Sequence, residues 1–346
     1  MIPINVDYVV GTGGIGSGIL FKLEGEHSLG RNETRLAELT DYQDFCKQHI
    51  ILHYVAVLSG DRVPIYAIGG VGNDAVGEEL LGLMRQSGID VDYVDIDDKS
   101  RTMYAVCYQY PNGEGGNLTA SNSASDRVSV QQVRRFFDEV NPSGHGLVIA
   151  APEVPLEARF CLLSKGRELG CFNVASLVTS EVSYFIDSRV FSLIDLLAIN
   201  QDEAKAIVDF SGCKADGSDA DMCYHYLKEQ NPDICVIVTC GGDGAYAYQN
   251  GQKWFSPSVS DVVLSTAGAG DCFLGTVISA LIRGIPMAQD TEEATIDSAL
   301  QLAALSSAMK VACNDTIDFS INSKSLLSFA LIKGIKISDS VMQRFF

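Results

Sequence analysis

Short uninterrupted apolar runs alternate with stretches of helical pattern through most of the chain. Tyr8-Val-Val-Gly enters a glycine-rich turn, and alternation at Ile19, Phe21 and Leu23 then predicts a strand. Residues 35–53 read as helical. The apolar run 63–68 predicts a strand ending in Gly69-Gly-Val-Gly-Asn-Asp74, where Asp74 is placed to cap a helix over 75–86 that stops at Gly88. Aromatic and β-branched residues at 102–110 are followed by the turn formers 111–116 and by Asn117-Leu-Thr-Ala. They predict a hairpin that need not belong to the main sheet. From residue 147 the runs 147–150, 171–174, 196–199 and 235–239 lack alternation, which suits parallel strands buried on both faces. Helical patterns lie between them, at 155–169 and 201–208, and again from 272 to 313. The tail 324–346 reads as a helix and a strand. The expected fold is α/β, with a mainly parallel sheet and a small β appendage near the beginning of the chain.

Composition narrows this picture. The 346 residues, 47% hydrophobic, can bury a substantial core. A formal net charge of −19 repels nucleic acid backbones and anionic membranes, so neither is an expected partner. The ten cysteines are scattered without a CxxC pair, and most sit in apolar runs. They read as reduced, buried residues, and no ligand cluster for zinc is evident. With no basic-then-apolar leader and no apolar run of membrane-spanning length, the expected location is cytoplasmic.

The chemistry concentrates at 265–271, Ser-Thr-Ala-Gly-Ala-Gly-Asp, which runs straight into an apolar helix. Small residues at a helix start leave backbone N–H groups free to face an anion, and a carboxylate follows at once. A nest for negative charge beside a base suits phosphoryl transfer. Upstream, Thr239-Cys-Gly-Gly-Asp-Gly244 ends an apolar strand, where glycines let a nucleotide approach the backbone. Strand 196–199 ends in Asn200-Gln-Asp-Glu203, an amide and a carboxylate three apart that could orient hydrated Mg²⁺, or simply cap a helix.

These segments resemble the ribokinase/PfkB family of small-molecule kinases over most of the chain. Thr266-Ala-Gly-Ala-Gly-Asp271, Asn200-x-x-Glu203, Thr239-x-Gly-x-x-Gly244 and Gly70-Val-Gly-x-Asp74-x-x-Gly77 are similar to four family motifs and follow the family order. The resemblance implies a ribokinase-like three-layer kinase domain over 1–346, with lid segments near 12–35 and 100–122. It implies an ATP- and Mg²⁺-dependent sugar kinase. Asp271 would be the base, and Gly268, Ala269 and Gly270, with the Ala267 amide, would form the anion hole. Asn200, Glu203, Thr239, Gly241, Gly242, Gly244 and Thr266 would serve the nucleotide, with Glu203 reaching Mg²⁺ through water. The acceptor would be a small sugar-like molecule under the lid, and a homodimer through the lid is expected.

Three departures fall outside that pattern. Ser265 stands where the signature begins with Asp, a residue of the monovalent-cation loop in members that use K⁺, which leaves the cation requirement open. The stretch 13–18 carries no carboxylate where members grip sugar hydroxyls. The usual Gly-Gly-x-x-x-Asn segment is replaced by Leu29-Gly-Arg-Asn-Glu-Thr-Arg35. Gly13, Gly14, Ser17, Arg31 and Asn32 are therefore the acceptor candidates, with Arg35 beside them, against an ordinary solvated loop. A nucleoside or sugar-acid kinase and a weakly catalytic binding relative remain as alternatives, with a dinucleotide-dependent oxidoreductase behind them. Gly11-Thr-Gly-Gly-Ile-Gly16 matches a dinucleotide fingerprint, but the strand pattern after it denies the helix such a site needs. His49 and His53 have metal-pair spacing without a third ligand. Ser123 and Ser125 read as loop residues.

Overall fold

The computed structural model describes residues 6–40, 42–112, 115–142, 145–289 and 295–346. Strand β1 (Tyr8–Thr12) leads by a short turn into β2 (Gly16–Leu23), which leaves for a second sheet with β3 (Ala37–Leu39) and β4 (Asp44–Phe45). Helix α1 (Lys47–Ser59), β5 (Ile65–Gly72), α2 (Ala75–Gln86) and β6 (Ile89–Asp97) return the chain to the central sheet. Strands β7 (Met103–Gln109) and β8 (Gly115–Thr119) complete the small one. Then α3 (Val130–Val140), β9 (Gly146–Ala150), α4 (Leu156–Glu168), β10 (Phe172–Ser176), α5 (Val182–Asp187) and β11 (Leu196–Asn200) alternate. They are followed by α6 (Gln201–Ser211), α7 (Asp219–Gln230) and β12 (Cys235–Thr239). The hairpin β13 (Gly244–Gln249) and β14 (Gln252–Pro257) precedes α8 (Ala269–Ile282), β15 (Thr295–Ile296), α9 (Ala299–Lys310), α10 (Ser323–Ile332), β16 (Lys336–Ile337) and α11 (Asp339–Phe345).

The central sheet is ordered β14-β13-β12-β11-β10-β9-β1-β5-β6 and is parallel from β12 to β6, with the hairpin added antiparallel. Its inner strands are buried on both faces, as their unbroken apolar runs require. Val9 packs on one side with α1, α2, α8 and α9, and Tyr8 and Val10 on the other with α3, α4, α6 and α7. The result is the three-layer α/β arrangement. Helix α8 is buried from Cys272 to Ile282 and packs against α1 and α9, so its all-round apolar sequence reflects burial on every side. The small sheet is ordered β3-β2-β7-β8, with β4 also on β2.

Three expectations change. Residues 35–53 do not form one helix. Residues 37–39 pair with β2, Phe21 opposite Leu39, and Cys46 is extended before α1 begins at Lys47. Leu36 and Leu39 are 84% and 57% exposed, so the apolar spacing that looked helical marks no core face. The span 272–313 is interrupted: α8 ends at Ile282, Pro286 follows, and β15 pairs with β16 before α9 starts. The tail holds a further short helix, α11, beyond its expected helix and strand. The glycine run 11–16 opens a strand, which excludes a dinucleotide fold there. No helix among the described residues is long and apolar enough to cross a membrane, and all ten cysteines are free.

Candidate active site

The turn before α8 forms one wall of the site. Gly268 is its N-cap at φ +75, and a Cβ there would lie 2.2 Å from the Thr316 carbonyl oxygen, so only glycine fits. Within the turn, Ala269 N–H donates to the Thr266 carbonyl at 3.2 Å and Ala267 N–H donates to Ser265 Oγ at 3.3 Å. Those two amides are spent on the turn itself. The amides of Gly268 and Gly270 find no acceptor among the described residues, which narrows the expected nest to these two positions. Asp271 follows in the first helical turn, half-buried in a cleft of about 520 Å³.

Ten sequence-selected residues line that cleft: Asn200, Glu203, Thr239, Gly241, Gly242, Gly244, Thr266, Ala269, Gly270 and Asp271. Gly268 stands behind them as the cap. The parallel register explains the convergence, because Asn200 lies opposite Thr239 at the C-terminal ends of β11 and β12. Asn200 and Glu203 form a capping box. Glu203 N–H donates to Asn200 Oδ1 at 2.8 Å, and Asn200 N–H donates to Glu203 Oε2 at 2.9 Å. The capping reading of Asn200 thus holds, and Glu203 keeps Oε1 for the cleft.

Lys47 went unnoticed in the sequence. It occupies the first position of α1, where a helix N-terminus disfavours a cation. Carboxylates hold it there: its Nζ lies 3.6 Å from Glu203 Oε1 and donates to the Leu177 carbonyl at 3.3 Å. Burial would lower its pKa, but Asp271, Glu203, Glu153 and Glu181 outweigh burial and leave it raised. Asp271 in turn is pushed up to about 6, mainly by burial, with Glu203 and Asp44 adding to the effect and Lys47 opposing it.

Glu153 also escaped the sequence reading. It follows β9 at φ +75, an uncommon conformation for a non-glycine residue. Its Oε2 is buried with no hydrogen-bond partner among the described residues, and burial raises its pKa to about 7. Gly14 passes so close that a Cβ there would lie 2.6 Å from Glu153 Cβ. Asp44, paired with Gly18 in the small sheet, accepts from Tyr42 Oη at 3.1 Å, and burial raises its carboxyl. The carboxylates missing from 13–18 are thus brought beside that stretch from elsewhere in the chain.

A model of the pfkB family of carbohydrate kinases matches residues 52–323. The chain belongs to that family. It is 25% identical to a ribokinase of Schizosaccharomyces pombe over 258 residues, covering 74% of this chain and 79% of that one. Its fold is similar to that of a ribokinase from Cryptococcus neoformans solved with ADP, at 19% identity and a TM-score of 0.72, covering 93% and 99% of the two chains. It is likewise similar to a Burkholderia thailandensis nucleoside kinase solved with inosine, at 17% identity and a TM-score of 0.71, covering 95% and 99%. As a pfkB-family carbohydrate kinase the protein is a phosphotransferase with an alcohol acceptor, on the ribokinase-like α/β fold.

The remaining residues of this pfkB kinase fall outside the cleft lining. Gly13 is buried against Ala151 and Gln48, Gly14 is buried against Glu153, and Ser17 lies within β2. Arg31 and Asn32 sit on an exposed turn of the small-sheet region. Beside them Arg35 Nε donates to Glu33 Oε1 at 2.7 Å, so that side chain is engaged locally. His49 and His53 are buried in α1. His49 packs edge-on against Phe45, and His53 Nδ1 lies 2.8 Å from Ser87 Oγ. No cluster of three or more metal-ligating side chains occurs among the described residues. Ser125 Oγ accepts from Ile15 N–H at 3.2 Å, which makes it a tie for the glycine turn.

Proposed function

We propose that this kinase transfers the terminal phosphoryl group of ATP to a hydroxyl of a sugar or related polyol. The observation that carries the reading is one cleft joining the Gly268–Gly270 turn, Asp271 and the Gly241–Gly244 strand end. The nucleotide would lie along Gly241, Gly242 and Gly244, with Thr239 and Thr266 near its phosphates. Val263, Ala304, Ala308 and Val311 offer an apolar wall for its base. The Gly268 and Gly270 amides would face the transferred group, and Lys47 would add positive charge on its acceptor side. Asp271 would take the proton of the attacking hydroxyl as the new O–P bond forms and the bond to the ADP oxygen breaks. A base near pH 6 suits that task better than an ordinary aspartate.

The donors present fit Mg²⁺. Asn200, Asp202 and Glu203 offer hard oxygens at the cleft, without the caged set of side chains that would hold an ion on its own. Asn200 and Glu203 would hold a hydrated ion against the phosphates, where it supplies charge neutralisation. The small sheet would act as the lid, with Glu153, Asp44, Gly13, Gly14 and Ser17 around the acceptor. Arg31 and Asn32 would reach it only as the sheet closes. The exposed Leu39 and Leu118 on this sheet favour a homodimer through the lid.

The test is ADP release over a panel of sugars, sugar acids and nucleosides, with wild type and Asp271→Asn. An acceptor that stimulates turnover, and a loss of about 10³-fold in kcat for the variant, are expected. Absence of any stimulated turnover, or a variant as fast as wild type, would sink the reading.

A further inference from the structure

Lys310, the last residue of α9, is fully buried. Its Nζ donates to the Ala267 carbonyl, and to the Ser265 carbonyl at 3.4 Å. Both carbonyls belong to the turn that presents the Gly268 and Gly270 amides. Other contacts from the same helix end converge on this turn. Ser307 Oγ donates to the Ala269 carbonyl at 3.1 Å, and the Val311 carbonyl accepts from Leu264 N–H at 2.7 Å and Ser265 N–H at 3.2 Å.

A buried ammonium is costly unless its protons are accepted. Here oxygens of one backbone turn accept them, in the manner of the carbonyl shell around a bound alkali ion. The resemblance raised the question of a monovalent cation beside this loop. The residues present do not fit one. Ser265 brings no carboxylate, and the Ser265 and Ala267 carbonyls that would face an ion accept from Lys310 instead.

We propose that Lys310 is a tethered internal cation, which holds the Ser265–Gly270 turn in its amide-presenting shape and makes the enzyme independent of added potassium. The proposal rests on the kinase reading for its kinetic arm only. Lys310 is a positioning residue, since it acts through the turn and touches no substrate. Its charge also reaches the site, because Lys310 lowers the pKa of Asp271 against the effect of burial.

The experiment compares wild type and Lys310→Ala in potassium chloride, methylammonium chloride and tetramethylammonium chloride at equal ionic strength. Steady-state kinetics and thermal unfolding are both measured. Wild type should give the same kcat and Tm in all three salts. Lys310→Ala should lose about 100-fold in kcat with a smaller change in the KM for ATP. Potassium or methylammonium, small enough for the vacated space, should restore part of that loss and raise the variant's Tm above its value in tetramethylammonium.

Wild type activated severalfold by potassium would overturn the proposal. So would a variant as fast as wild type without small cations, or a folded variant that no small cation rescues in either readout. Should Lys310→Ala fail to fold, the wild-type salt comparison decides. Should wild type turn over no acceptor, the kinase reading fails while the thermal arm still decides on the cation.

Discussion

The donor and acceptor sides proposed for the site are made of different material. The donor side is mostly backbone: the Gly268 and Gly270 amides, the Gly241–Gly244 strand end and the capped start of α6. The proposed acceptor side is mostly side chain: Lys47 from α1 in the cleft, with Glu153 from beyond β9 and Asp44 from β4 beside Gly14 and Gly18, outside the cleft lining. A backbone nest tolerates few sequences where its cap is fixed by a close contact, as Gly268 is by Thr316. A side-chain pocket can be reassembled from new positions while the chemistry stays in place. In the proposed reading the donor side would define the reaction, and the acceptor side would be where specificity for one hydroxyl compound can change.

The largest expected separation between the two sides comes from Gly268→Ala. The added methyl meets the Thr316 carbonyl at a positive φ, so the nest should distort and kcat should fall about 10²- to 10³-fold for every acceptor tested. An unaltered kcat would mean that the turn carries no transition-state charge. Lys47→Met comes next. Because Lys47 stands between Glu203 and Asp271, its loss should cut kcat/KM about 100-fold and raise the apparent pKa of the acid limb. Glu153→Gln should act on the acceptor alone, raising its KM about tenfold with the KM for ATP unchanged. A shift in the ATP KM instead would erase the distinction between the sides.

The smallest effects concern pH. With Asp271 near 6, kcat/KM should fall about tenfold per unit below that value, as the base becomes protonated. Stability should move the other way. The fold holds the Asp271 proton more tightly than the unfolded chain does, where the pKa is near 4. This residue's contribution to stability is therefore lost as pH rises from about 4 to 6. Asp271→Asn should then show a higher Tm than wild type above pH 6, and the gap should close below pH 4. A calorimetric series across that range checks the sign.

The same contrast explains what the sequence made readable. Residues 200–203, 239–244 and 266–271 are local, and each strand end or helix start needs particular residue types at fixed spacing. Their convergence followed from parallel strand order. Glu153 and Lys47 carry no local signature, because the roles proposed for them would arise only once β9, α1 and α8 come together. The fold was legible for the same reason in its buried strands. Strand β6 was overlooked because it is an edge strand, with aspartates at 90, 92, 95 and 97 mixed among apolar residues and much of its surface exposed. Residues 35–53 misled because exposed leucines imitated an amphipathic helix.

One further carboxylate ties the two sheets together mechanically. Asp74 caps α2 by accepting from Gly77 N–H at 2.9 Å, and it also accepts from Thr102 N–H at 2.9 Å and Thr102 Oγ1 at 2.7 Å. Thr102 stands immediately before β7, where the chain passes from the central sheet into the small one. A swing of the small sheet that pulled Thr102 away would leave the α2 cap without two of the three donors that fix its carboxylate. At this crossing the two sheets are therefore joined by a fixed tie rather than a slack strap, and one carboxylate makes it.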